Sequence, residues 1–278
     1  MMKTRIISAI IMLPLLLFVY LGGLWLKFAV VCVSVIGLDE FYKGFKAEGV
    51  KPSFPIGIGS VCLLYIFHTI IINNEAAGAA GPDPAVMYML WLFIVVMASM
   101  IYGFKVEERK TEDMAATVLG IVYVVFFFHF AVLIDECDYA HNYIWLVFII
   151  AFCTDIFAYF TGRFLGKHKL CPKLSPKKTV EGAVGGMIGA LVFSLLFGNF
   201  FLEPGHALNV HFILMTLIGS VISQLGDLSA SAFKRQMGIK DYGKLIPGHG
   251  GILDRFDSVL FVAPYLYFYI ALVLPKIM

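Results

Sequence analysis

The chain has 278 residues, of which 60% are hydrophobic and only 14% charged, with a mean hydropathy of +0.87. These values lie far outside the range of water-soluble domains and leave no room for a sizeable soluble domain. A formal net charge of +2 looks neutral and no nucleic-acid partner is expected, but the cations are distributed unevenly along the chain.

Apolar runs bounded by polar, Pro or Gly residues predict nine membrane spans, at 5–22, 24–42, 54–73, 85–104, 114–134, 142–162, 180–200, 209–229 and 252–274. At roughly 20 residues per crossing, nine spans use most of the chain. The expected fold class is therefore all-α, a polytopic integral membrane protein. Lys3 and Arg5 ahead of the first run resemble a secretory signal, but the run 6–21 is long for one. No small-x-small site precedes Gly22, so the segment is read as a retained span. With nine spans, 19 of the 21 Lys and Arg residues fall on the side of the N-terminus, and only Lys27 and Lys276 face the other way. The positive-inside rule then predicts a cytoplasmic N-terminus, both large basic loops in the cytoplasm and an outer C-terminus. Five cysteines (Cys32, Cys62, Cys137, Cys153 and Cys171) show no metal or disulfide spacing and are expected to be free.

Residues 1–140, spans one to five, show little chemistry and are expected to form a scaffold and a possible dimer contact. Asp39 and Glu40 end the second span, where carboxylates are usually solvated. His68 and His129 are expected to make polar contacts between helices. Residues 141–278, spans six to nine with loops 163–179 and 230–251, are expected to be catalytic.

Asp155 lies near the middle of the sixth span, where a charge is costly unless it lines a polar cavity or finds a partner. Tyr159 and Gly162 follow at helical spacing. Ser175 and Pro176 then predict a helix start, with Ser175 as N-cap and Lys177, Lys178 and Thr179 in the first turn. A helix N-terminus carrying lysines suits phosphate, although cytoplasmic lysines also anchor loops to anionic lipid. Glu181, just inside the span, is expected to need a cation or metal nearby. Gly182, Gly185, Gly186 and Gly189 predict a close helix-packing surface.

In the eighth span Ser223, Asp227, Ser231 and Lys234 recur at i, i+4, i+8 and i+11, a polar stripe on one continuous helix. An ion pair between Asp227 and Arg255 is the plain structural alternative to a metal role. The stretch Ser231–Ser258, SAFKRQMGIKDYGKLIPGHGGILDRFDS, is dense in charge for so apolar a chain. Its glycines, Gly250 and Gly251 among them, let backbone amides approach an anion. Asp254, Asp257 and Ser258 share one face of the ninth span's first turns. Carboxylates one turn apart, beside Arg255 and a glycine-rich loop, suit a divalent ion holding a polyphosphate. The expected substrates are a nucleoside triphosphate with Mg²⁺ and an amphiphile.

The stretch Ser231–Asp257 resembles, without a gap, the phosphatidate cytidylyltransferase (CDP-diacylglycerol synthase) signature S-x-x-K-R-x4-K-D-x-G-x2-[LIF]-P-x-H-G-G-x2-D-R-x-D. Ser175–Gly186 and Asp155–Gly166 also look like that family. The resemblance implies the reaction of CTP with phosphatidate to give CDP-diacylglycerol and pyrophosphate, in a multi-pass, homodimeric enzyme of the cell membrane. It further implies Asp227 and Asp254 as metal carboxylates supported by Asp257, with Mg²⁺ and possibly a second, different metal ion. Lys234 and Arg235 join these as catalytic groups, and Ser231, Lys240, Asp241 and His249 as substrate contacts. Two alternatives stand beside this reading. A CTP-dependent polyprenol or lipid kinase would transfer the γ-phosphoryl group, and a transporter of anionic solutes would place its site at mid-membrane between inverted repeats.

Overall fold

A computed structural model describes residues 16–78, 81–137, 141–202, 210–246, 248 and 250–273. The described chain is almost entirely helical: α1 Gly23–Ala47, α2 Phe54–Ala76, α3 Pro84–Tyr102, α4 Thr111–Gly120, α5 Phe127–Asp135, α6 Ile144–Leu165, α7 Val180–Phe201, α8 Val210–Gln236 and α9 Leu253–Leu272. A π-helical stretch, Ile121–Phe126, runs from α4 into α5. Among the described residues seven helical segments are long and apolar enough to cross a membrane. They correspond to the predicted spans from 54–73 onward. The helix α1 covers the predicted span 24–42, whereas most of the predicted span 5–22 lies outside the described residues. The chain is thus an all-α, multi-pass membrane protein. All five cysteines are free.

The chain divides into two compact units, residues 31–126 and residues 1–30 with 127–278. In the first, buried Asp113 near the start of α4 accepts from the amides of Lys51 (2.6 Å) and Lys110 (2.9 Å), tying two loops together. Thr117, one turn on, accepts from the Ser53 amide, and its carbonyl takes the Tyr42 hydroxyl. Trp91 is fully buried, yet its indole N–H reaches the Ser60 carbonyl at 2.9 Å, so no polar group is stranded. His68 on α2 meets the Tyr88 hydroxyl on α3 at 3.2 Å, the interhelical polar contact expected of it. Asp39 pairs with Lys43, but Glu40 is buried rather than solvated, a departure from the sequence reading.

The second unit packs α5 to α9. The contact between α6 and α7 is the closest because α7 presents the predicted glycine stripe. A Cβ on Gly182 would lie 2.7 Å from the Ala158 carbonyl oxygen, and one on Gly186 2.7 Å from that of Thr154. Backbone cannot retreat from such contacts as a side chain could. Thr154 of α6 and Ser220 of α8 share a hydrogen bond of 2.7 Å in the core. Gly226 brings α8 against the backbone of α9 at the Asp257 carbonyl.

Between α6 and α7 the chain forms a two-stranded antiparallel hairpin, β1 Lys169–Cys171 and β2 Ser175–Thr179, pairing Lys169 with Thr179. This corrects the predicted helix start at Ser175. Ser175, Lys177 and Lys178 lie on a strand, and the N-cap of α7 is Thr179, whose hydroxyl accepts from the Gly182 amide at 3.1 Å. Pro176 is compatible with either reading, and pairing to β1 satisfies backbone groups that a helix cap would have left to water.

Candidate active site

Four helix ends of the second unit converge on one cavity of about 600 Å³: the last turns of α6 and α8 and the first turns of α7 and α9. Each contributes charge for a local reason. Of the stripe predicted on the eighth span, α8, which runs unbroken from Val210 to Gln236, carries Asp227 and Lys234 to the cavity, whereas Ser223 and Ser231 do not line it. Gly238 then ends it with φ +63°, while the Ile239 amide reaches back to the Lys234 carbonyl at 2.9 Å. That glycine-dependent termination returns the chain toward α9.

Asp254, in the first turn of α9, organises the returning loop. One oxygen receives Lys234 Nζ at 2.8 Å, and the other receives the amides of Tyr242 (2.8 Å) and Gly251 (2.9 Å). Gly250, at φ +87°, passes so close that a Cβ would sit 2.7 Å from the same oxygen. The second carboxylate of that face, Asp257, is buried and accepts from the Ser258 amide at 2.8 Å. Ser258 in turn donates its hydroxyl to Asp155 of α6 at 3.1 Å. Asp155, Asp227 and Asp257, from three different helices, line the same cavity. Asp227 pairs with Lys178 of β2 at 2.5 Å and not with Arg255, the partner of the structural alternative to a metal role.

Of the predicted site residues, Asp155, Lys177, Lys178, Thr179, Asp227 and Lys234 line the cavity, as do Asp241, Asp254, Arg255 and Asp257. Others do not reach it. Ser175, on β2, is not among the lining residues. Ser223 is buried inside α8, with its hydroxyl lacking a hydrogen-bond partner among the described residues. Ser231 and Lys240 lie outside the lining, and Arg235 is exposed, 3.5 Å from the Ile239 carbonyl. Gly250 and Gly251 act through the Asp254 loop. Glu181 does not line the cavity: it accepts from the amides of Lys167 and His168 and pairs with the His168 ring at 2.6 Å, bracing the hairpin. His249 lies outside the described residues.

Sequence reasoning missed Arg163 and Gln224 and gave Tyr159 no role, although all three line the cavity. The signal was present: Tyr159 and Arg163 follow Asp155 at i+4 and i+8, and Gln224 precedes Asp227 by three. The cavity's charged lining balances, with five carboxylates and five Lys or Arg residues. Among the described residues no three His, Cys, Asp or Glu side chains are gathered closely enough to cage a metal alone. The cavity's carboxylates are hard oxygen donors, of the chemical kind that a divalent ion such as Mg²⁺ would take.

The model of the "Cytidylyltransferase family" matches residues 3–273. The chain is 37% identical over 275 residues to the phosphatidate cytidylyltransferase of Bacillus subtilis (strain 168), covering 98% of each chain. It is 36% identical over 267 residues to the protein of that name in Staphylococcus aureus (strain COL), covering 95% of each, and 34% identical over 268 residues to the one in Staphylococcus haemolyticus (strain JCSC1435). With the family model spanning nearly the whole chain and these relatives matching end to end, the chain belongs to the cytidylyltransferase family.

Proposed function

We propose that the protein catalyses CTP + phosphatidate → CDP-diacylglycerol + pyrophosphate, in phospholipid biosynthesis at the cell membrane. The observation that carries the proposal is the cavity in which cations and carboxylates from four helix ends meet, on helices apolar and long enough to cross a membrane, in a chain of this family. A phosphatidate oxygen attacks the α-phosphorus of CTP in line. The new P–O bond forms as the bond to the β-phosphate oxygen breaks, and pyrophosphate leaves with that electron pair. The nucleophile is already an anion, so the barrier lies in bringing like charges together and stabilising the leaving group.

Lys178, Lys234 and Arg255, which line the cavity, would hold phosphate oxygens, and Lys177 adds a further cation to the lining. The balanced lining cannot by itself neutralise a triphosphate and a phosphomonoester together. Asp227 and Asp257, with Asp155 behind them, would hold Mg²⁺, while Asp254 keeps the loop and Lys234 in place. Bound there, the ion supplies charge neutralisation across the phosphates. The distribution of Lys and Arg supports a cytoplasmic face for this end of the helices, where CTP is available.

The test is incubation of the purified protein in detergent with α-labelled CTP, phosphatidate and Mg²⁺. Label is expected in the organic phase. Label confined to the aqueous phase, or lipid labelled only from γ-labelled CTP, overturns the proposal.

A further inference from the structure

We propose that Arg163 and Tyr159, exposed residues of α6 that line the cavity, form the receiving site for the phosphomonoester of the lipid substrate. This rests on the reaction assigned above and adds which side chains take the lipid rather than the nucleotide. Asp155, Tyr159 and Arg163 recur at i, i+4 and i+8 and all line the cavity, so they form a track from the carboxylates to the last turn of α6. Arg163 Nη1 donates to the Tyr159 hydroxyl at 3.0 Å, which fixes the guanidinium while leaving its other donors available. Lys178 and Lys234 are already paired with Asp227 and Asp254, whereas Arg163 has no carboxylate partner among the described residues.

The surroundings distinguish a lipid from a nucleotide. One residue along the same helix, Ile156, Phe160 and Phe164 form an apolar stripe exposed by 50%, 50% and 75%. On α7 the residues Val180, Val184 and Ile188 repeat the pattern beside Ala183, which lines the cavity. Both helices belong to segments able to cross a membrane, so these stripes meet acyl chains. A diacyl lipid lying along them brings its phosphate level with the last turn of α6, where the planar guanidinium can bind two oxygens at once. A soluble nucleotide gains nothing from that flank.

The experiment is steady-state kinetics in mixed micelles, varying the surface fraction of phosphatidate and the concentration of CTP independently. It compares the wild type with Arg163→Gln, Arg163→Lys and Tyr159→Phe. Loss of a charge-assisted phosphate contact is expected to raise the KM for phosphatidate roughly tenfold or more in Arg163→Gln, with the KM for CTP changed by less than about twofold. Arg163→Lys recovers part of the loss, and Tyr159→Phe gives a smaller rise in the same constant. A rise in the CTP constant equal to or larger than that for phosphatidate overturns the assignment, as do unchanged constants for both substrates. If Arg163→Gln does not accumulate as folded protein, unchanged phosphatidate constants in both remaining variants overturn it equally. A wild type that places no cytidine label in lipid overturns the reaction assignment itself, so the two failures are separable.

Discussion

Lys234 at the end of α8 and Asp254 at the start of α9, twenty residues apart in sequence, meet at 2.8 Å with side chains only 13% and 2% exposed. The pair closes the loop between the two helices, and the other Asp254 oxygen holds that loop by two backbone amides. Removing one partner of a buried ion pair typically costs about 3–5 kcal/mol, because the remaining charge is stranded. Asp254→Ala is therefore expected to loosen residues 237–252 and abolish turnover. Asp254→Asn, which can still accept from both amides, should retain the loop but lose turnover. Hydrogen exchange across the loop, with the rate of label incorporation, checks both.

Asp227 and Lys178 form a different kind of pair, each about a quarter exposed. Its loss should cost about 1 kcal/mol or less in stability. If Asp227 holds the divalent ion, Asp227→Asn nevertheless loses activity by roughly a hundredfold or more. Melting in detergent should change little. Wild-type rates for this variant across a Mg²⁺ titration would exclude the metal assignment.

The seam between α6 and α7 predicts an asymmetry among glycines. Gly186→Ala forces a methyl group against the Thr154 carbonyl and should destabilise the protein by about 1–3 kcal/mol. Gly59→Ala in α2 meets nothing within 4 Å and should be neutral or stabilising by up to about 1 kcal/mol. Thermal denaturation of the two variants side by side is the measurement.

The start of α7 is tested by its cap. Thr179→Val removes the acceptor for the Gly182 amide and should cost about 0.5–2 kcal/mol. Ser175→Ala, on the strand, should leave the melting temperature unchanged. The reverse ordering would restore the helix start at Ser175.

The sequence by itself determined the membrane class, the helices from the second predicted span onward, the glycine seam and the charged stretch from Ser231 to Ser258. These follow from local pattern: hydropathy over twenty residues, and small or charged side chains at helical spacing, are properties of the linear chain. It did not determine the hairpin at Ser175–Thr179, because a strand pairing depends on a partner, Lys169–Cys171, that no local propensity reveals. Nor could it decide partners among equivalent charges. The sequence offered Arg255 as an ion-pair partner for Asp227 where the structure pairs it with Lys178, and Glu181 resembled a site residue until the His168 loop was seen to hold it. Only the tertiary structure brought Asp155 and Arg163 to the cavity that Asp227 and Asp257 line. Electrostatic interactions depend on distance in space, and that distance is set by how the helices pack rather than by separation along the chain.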